Sequence, residues 1–151
     1  MTACASIIQY IYNAMNLEIK IKEGLGDVRF GMSVDDVTGI MGRADEVEEM
    51  DSATDEPTTV LHYNGLGITL FFEGDKPSLS CIDISNTECT LFGERVFDLD
   101  ERALVRLMVN NGYPEQDVDD DLFIDRRVGF IRANVDFYYD DGSMSALIIG
   151  A

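Results

Sequence analysis

The sequence predicts an α+β fold made of two tandem helix-plus-three-strand repeats, with the helices packed on one face of an antiparallel sheet. Three observations lead to this prediction. The two halves of the 151-residue chain resemble each other at a nearly constant offset. Each half contains one amphipathic segment with helical periodicity. Each half also contains segments in which apolar and polar residues alternate, as they do in half-buried strands.

The internal repeat is clearest around two phenylalanines. The segment 30–41, FGMSVDDVTGIM, aligns with the segment 97–108, FDLDERALVRLM, at an offset of 67 residues. The same offset carries 61–72 onto 128–139, and an offset of 65 then carries 79–84 onto 144–149. A register held through a helix, a loop and two strands indicates gene duplication.

Each repeat is predicted to begin with a short helix. Ser33 and Asp100 are suited to cap the helix N-termini, because their side-chain oxygens can accept from free backbone amides. Gly42 and Gly112 are predicted to end the two helices. Apolar residues at spacings of three and four form one face of each helix: Val37, Ile40 and Met41 in the first, and Leu104, Leu107 and Met108 in the second.

An acidic loop and three strands are predicted to follow each helix. Hairpin turns at 74–77 and 140–143 connect the last two strands of each repeat. The alternating run 17–21 predicts one additional strand. These assignments divide the chain into an N-terminal segment at 1–15, repeat 1 at 16–86 and repeat 2 at 87–151, with the two repeats forming one compact domain.

The N-terminal segment and the cysteines bear on location. Residues 1–14 lack the basic start and continuous apolar middle of a secretion signal, so they predict either a short docking helix or a mis-assigned start, with Met15 as the true one. Three cysteines without a CxxC pair, Cys4, Cys81 and Cys89, indicate reduced thiols and a cytoplasmic protein. No stretch is long enough to span a membrane.

The charge balance indicates the class of partner. With 29 acidic against 11 basic residues, the formal net charge is −18. Such a charge repels nucleic acids and anionic membranes and attracts cationic proteins, although it also serves solubility alone. The acids expected to steer a partner lie in the two predicted acidic loops: Glu46, Glu48, Glu49, Asp51, Asp117, Asp119, Asp120 and Asp121.

Alternation along the strands predicts a second sheet face that points away from the helices. Phe71 and Tyr138 occupy the same repeat position on this face and are the predicted anchors for a partner. The other predicted contact residues on the face are His62, Thr69, Asp83, Asp136 and Ile148. The alternative is that the N-terminal segment or a homodimer partner covers these residues.

The sequence predicts a protein without enzymatic activity, metal or cofactor. His62 is the single histidine, and no motif places a nucleophile beside it. The chain contains no HExxH, GxSxG or P-loop pattern. The segment 117–122, DVDDDL, lacks the glycine at position six and the acid at position twelve of a calcium loop.

Three segments resemble the repeat of β-lactamase-inhibitor-protein-like domains: FGMS at 30–33, MGRAD at 41–45 and LHYNGLGITLFF at 61–72. Those domains resemble a small outer-membrane-assembly lipoprotein fold, and similar layouts occur in bacterial proteins that look like immunity proteins of toxin systems. Ala44 departs from the family pattern, which has proline there, and the secretion signal of the family is also missing. The resemblance implies that the open sheet face recognises the partner, through Phe71 and Tyr138 in this chain.

The functional hypothesis is therefore an acidic inhibitor, such as an immunity protein that neutralises a basic toxin, for example a nuclease. The alternative hypothesis is a structural or assembly module whose sheet face is a self-association interface, giving a homodimer.

Overall fold

A computed structural model describes residues 15–51, 57–120 and 126–151. Of the described residues, 48% lie in strands and 19% in helices, so the protein is mostly β. The predicted class, an α+β fold with two helix-plus-three-strand repeats, is therefore wrong. The predictions for residues 1–14, including Cys4 and the docking helix, lie outside the described residues, as does the one for Asp121.

The described residues form two α-helices and thirteen strands. The helices are α1, Val34–Met41, and α2, Glu101–Asn110. The strands are β1 Glu18–Lys20, β2 Gly24–Leu25, β3 Val28–Arg29, β4 Glu46–Asp51, β5 Pro57–Tyr63, β6 Ile68–Glu73, β7 Ser78–Ile84, β8 Thr90–Leu91, β9 Glu94–Arg95, β10 Gln116–Asp119, β11 Arg126–Phe130, β12 Val135–Asp140 and β13 Ser143–Gly150. Two short 3-10 helices lie at Asn64–Leu66 and Val96–Asp98.

Eight of the strands form one antiparallel sheet in the order β10-β11-β12-β13-β7-β6-β5-β4. Each half of the chain supplies a helix followed by four consecutive strands, and the two runs of strands meet where β13 pairs with β7. In this pairing Asp83 lies opposite Ile148, and these two residues are also equivalent at the repeat offset of 65. An approximate two-fold axis therefore passes through the Asp83–Ile148 pair.

The additional strand in each half explains why the predicted fold class failed. The segments predicted as acidic loops are β4 and β10, the two edge strands of the eight-stranded sheet. Edge strands often carry charged side chains, which hinder pairing with other chains. The charge density of β4 and β10 therefore resembles that of a loop, although their backbones are extended and paired to β5 and β11.

The other five strands form a small sheet in the order β3-β2-β1-β8-β9. The predicted strand at 17–21 is confirmed as β1, which pairs in parallel with β8 from the second half of the chain. Ile19 on β1 and Leu91 on β8 lie opposite each other, and both are buried in the same core as the larger sheet. The small sheet thus links the two halves a second time.

One hydrophobic core lies between the eight-stranded sheet, the helices and the small sheet. The helices contribute Val37, Met41, Leu104 and Met108. Along β6 and β12 every second residue is buried, which confirms the predicted strand alternation: Ile68, Leu70, Phe72, Val135, Phe137 and Tyr139. No helix in the described part of the chain combines the length and the apolar character needed to cross a membrane.

The predicted helix starts are confirmed. The Ser33 hydroxyl accepts from the Asp36 amide at 3.1 Å while the Asp36 carboxylate accepts from the Ser33 amide at 3.2 Å, which forms a capping box. The Asp100 carboxylate accepts from the Ala103 amide at 2.8 Å. Gly42 caps the C-terminus of α1 as predicted. Helix α2 is capped by Asn111 rather than by Gly112, one residue earlier than predicted.

We predict that Gly39→Ala stabilises the protein. Gly39 lies within α1, its φ is not positive, and an added Cβ would meet no atom within 4 Å. Alanine at such a position is favoured over glycine by about 0.5–1 kcal/mol in free energy of unfolding. Urea denaturation of the variant and the wild type measures this difference. An unchanged or lower midpoint would contradict the placement of Gly39 in an open helical position.

Candidate binding face

The eight-stranded sheet has one face turned away from the core, which we call the outer face. Along β6 and β12 every second residue is buried, while the residues between them are partly exposed. The partly exposed residues form the outer face, because side chains alternate between the two sides of a strand. The predicted contact residues belong to this set.

Five of the predicted contact residues form a single row across the sheet. From β12 across to β5, each residue of the row lies opposite the next one on the neighbouring strand. The order is Asp136, Ile148, Asp83, Thr69 and His62. The row continues to Asp117 at one edge, through Gly129, and to Glu46 at the other. The sequence predicted a shared face for these residues, and the structure shows that they are consecutive neighbours on it.

The two predicted aromatic anchors lie on either side of this row. Phe71 lies opposite Cys81 on β7, and Tyr138 lies opposite Ala146 on β13. Neither ring belongs to the buried core. Three strand spacings separate β6 from β12, which places the two residues about 14 Å apart across the strands. Their positions are related by the approximate two-fold axis at the Asp83–Ile148 pair.

A β-bulge lies in the strand opposite each aromatic anchor, and the sequence did not predict either bulge. The register shifts after Phe71 and after Tyr138, so Ser80 and Ser145 are the extra residues of the partner strands. The Ser80 hydroxyl donates to the Phe71 carbonyl at 3.3 Å, and the Ser145 hydroxyl donates to the Tyr138 carbonyl at 3.2 Å. The change of repeat offset from 67 to 65 gave no signal of the bulges, because they lie at equivalent positions in both repeats. That change comes from the turn before them, which has four residues at 74–77 and two at 141–142.

Arg127 neutralises one end of the row. Its guanidinium donates to the carboxylates of Asp117 and Asp136, each at 2.9 Å. The hydrogen bond that Arg127 donates to Asp117, followed by the one that it donates to Asp136, raises the pKa of Arg127 above its usual range. Gly129 makes this arrangement possible, since a Cβ there would lie 2.5 Å from the nearer Asp136 oxygen and 2.6 Å from the Arg127 nitrogen.

Asp83 differs from these carboxylates because it has no cation beside it. Among the described residues, no Lys, Arg or His lies within ion-pair distance of Asp83. Its side chain is about half buried, and this burial raises its pKa. Burial also raises the pKa of the neighbouring Cys81 thiol to about 11, with the Asp83 charge adding to the effect. A partly buried, unpaired carboxylate at the centre of a face is suited to receive a cation.

His62 and the predicted steering acids lie toward the two edges. His62 contacts Glu48 at 3.1 Å between the ring nitrogen and the carboxylate oxygen. The other steering acids are in β4, in β10 or directly after β10: Glu46, Glu49, Asp51, Asp117, Asp119 and Asp120. Their placement in strands corrects the prediction of two acidic loops. It puts the negative charge along the two outer edges of the sheet.

A shallow cleft lies elsewhere on the surface, away from the outer face. It has a volume of about 400 Å³ and is lined by Glu101, Arg126, Tyr139 and the turn at 140–142. Arg126 is the one cation among its lining residues, and it already forms ion pairs with Glu101 and Asp120. Within the described ranges, no three His, Cys, Asp or Glu side chains are grouped so that they could hold a metal ion.

Comparisons of the chain with protein-family models, with curated proteins and with solved structures found no match.

We predict that Gly129→Ala destabilises the protein by about 1–3 kcal/mol, because the new methyl group displaces the Arg127–Asp136 ion pair in a packed site. Urea denaturation provides the measurement. Gly65→Ala is the matched control, since a Cβ at Gly65 meets nothing within 4 Å. Equal effects of the two substitutions would contradict the role assigned to Gly129.

We predict that Asp83→Asn raises the Tm by a few degrees at neutral pH. The pKa of Asp83 is higher in the folded protein than in the unfolded chain. The stability contribution of this group therefore falls as pH rises from about 4, the usual aspartate pKa, through its raised folded value. Asparagine removes this penalty, and the difference from wild type should vanish at acidic pH.

Differential scanning calorimetry across the pH range tests this prediction. Asp75→Asn is the control, because it removes the same charge from an exposed turn residue. A stabilisation by Asp75→Asn of equal size would show that the effect comes from net charge rather than from the burial of Asp83.

Proposed function

We propose that the protein binds a cationic protein through the outer face and inhibits it, as an immunity protein does with a basic toxin such as a nuclease. The observation that carries this proposal is the unpaired, half-buried Asp83, which lies at the centre of the face between Phe71 and Tyr138. A lysine or arginine of the partner would supply the missing counter-charge. The two rings would pack against apolar surface around it.

The electrostatics of the whole chain support a cationic partner. The net charge of −18 accelerates encounter with a basic protein and repels nucleic acids and anionic membranes. The acids along both edges of the sheet extend this negative field across the width of the outer face. The alternative, self-association through the same face, would bring the unpaired Asp83 carboxylates of two copies near each other, which like-charge repulsion disfavours.

We also propose that the protein is cytoplasmic and that it has no enzymatic activity. One feature supports each of these two proposals. Cys81 and Cys89 are free thiols, which is consistent with a cytoplasmic location. The single histidine contacts a carboxylate rather than a hydroxyl or thiol nucleophile, which is consistent with a binding protein rather than an enzyme.

We predict that Asp83→Lys weakens partner binding by about 2–5 kcal/mol, the usual effect of breaking a desolvated charge pair. The partner would first be captured on the immobilised protein from a lysate of the source cells, identified and purified. Calorimetric titration would then compare the wild type, Asp83→Lys and Asp75→Lys. The last variant makes the same charge change in a turn outside the face, so it should affect the association rate and little else.

Two results would overturn the proposal. One is a partner that binds the Asp83→Lys variant and the Phe71→Ala, Tyr138→Ala double variant as tightly as it binds the wild type. The other is a dimer, detected by light scattering, that persists at high salt and dissociates in the double variant, because that result would assign the face to self-association.

A further inference from the structure

The two edge strands of the eight-stranded sheet are both acidic, but they differ in how far cations of the protein neutralise their acidic side chains. The edge strands are β10 and β4. Acids at or near β10 are paired with arginines from the same half of the chain. Asp117 pairs with Arg127 at 2.9 Å, Asp120 with Arg126 at 3.1 Å, and Glu115 with Arg132 at 3.3 Å. Three of the four acids described at or near β10 thus have an arginine beside them, which partly neutralises this edge.

The β4 edge lacks this neutralisation. Glu48 contacts His62, and in the described part of the chain neither Glu46 nor Glu49 has a Lys, Arg or His within ion-pair distance. All three glutamates are exposed. Strand β4 thus presents uncompensated negative charge on both of its sides, since neighbouring residues of a strand point in opposite directions.

Among the described strands, none pairs with the outer side of the β4 backbone. The Gly74 amide donates to the Pro57 carbonyl at 3.2 Å, so Pro57 and every second residue after it turn their backbone groups toward β6. The residues between them turn toward β4 and bond to Glu46, Glu48 and Met50. The intervening residues Val47 and Glu49 therefore direct their N–H and C=O groups away from the sheet.

Strand β4 also exposes two large apolar side chains. Val47 is 60% exposed on the core side of β4, and Met50 is 47% exposed on the opposite side. Large apolar residues on an open edge strand favour pairing with another strand. The like charge of two β4 strands opposes pairing between two copies of this chain, whereas an incoming strand with lysine or arginine side chains would be attracted.

We propose that β4 is a docking site for an extended, lysine- or arginine-rich segment of another protein, which adds to the sheet as a further strand. Backbone hydrogen bonds to Val47 and Glu49 would supply the pairing, and the glutamates would select the cationic side chains. This site is centred on the edge strand β4, three strands from Asp83, although Glu46 and Glu48 also border the outer face. The proposal does not depend on the function proposed for that face.

A synthetic peptide tests the proposal directly. The probe is a fluorescent peptide of about eight residues in which lysine alternates with valine or threonine. The comparison peptide has the same sequence with alternate backbone nitrogens methylated, so that it keeps its charge but cannot form the ladder. We expect the first peptide to bind in fluorescence anisotropy and the second to bind at least roughly tenfold more weakly.

Two matched proline variants locate the site. Val47→Pro removes an outward N–H from β4 without removing a hydrogen bond to β5 or changing the net charge. Val118→Pro makes the same change in β10, where Val118 is the corresponding exposed valine, opposite Val128. We expect Val47→Pro to weaken peptide binding by roughly tenfold or more and Val118→Pro to leave it unchanged.

Hydrogen exchange can be measured on the wild type, so its outcome does not depend on whether the proline variants fold. Addition of the peptide should slow exchange of the Val47 and Glu49 amides, which point away from β5. The proposal is overturned if these amides stay unprotected at saturating peptide, or if the methylated peptide binds equally well. It is also overturned if the two proline variants lose binding equally. Asp83→Lys should leave peptide binding intact, which separates this site from the outer face.

Discussion

The pairing of β7 with β13 is the contact on which the rest of the architecture depends. It joins two runs of four strands into one continuous sheet, and it places strands from opposite halves of the chain side by side at its centre. The core is continuous because Ile82 and Ile84 on β7, and Leu147 and Ile149 on β13, are all buried beneath this junction. The outer face is continuous for the same reason. Without this pairing each half would leave a central strand open and a small core half covered.

The sequence predicted the interior better than the edges, for a physical reason. Burial forces a strict alternation of apolar residues, so the inward positions of β6 and β12 could be read directly from the chain. A solvent-exposed edge strand is under no such constraint. The run EVEEMD in β4 carries charge on both sides, and only its pairing to β5 makes it a strand. The strand was therefore mistaken for a loop, and the fold class was predicted wrongly.

The candidate site shows the same limit. Alternation was sufficient to assign Phe71 and Tyr138 to the outer face, because only the direction of a side chain along its strand was needed. The cross-strand row required the register between strands, which depends on the bulges at Ser80 and Ser145 and on the β7–β13 junction. Ion pairs such as that between Arg127 and Asp136 depend on this register too. That Asp83 lies unpaired at the centre of the face therefore became evident only in three dimensions.

The Asp83–Ile148 pair has a consequence for how this sheet could have arisen and changed. Equivalent strands that meet antiparallel across a two-fold axis form the same contact as two identical subunits in a symmetric dimer. In such a dimer, the residue on the axis must face its own copy, so two aspartates or two isoleucines would be neighbours there. Covalent fusion of the halves removes that requirement. One chain can then set a lone carboxylate beside a hydrocarbon side chain, an asymmetry that a dimer of identical units could not encode.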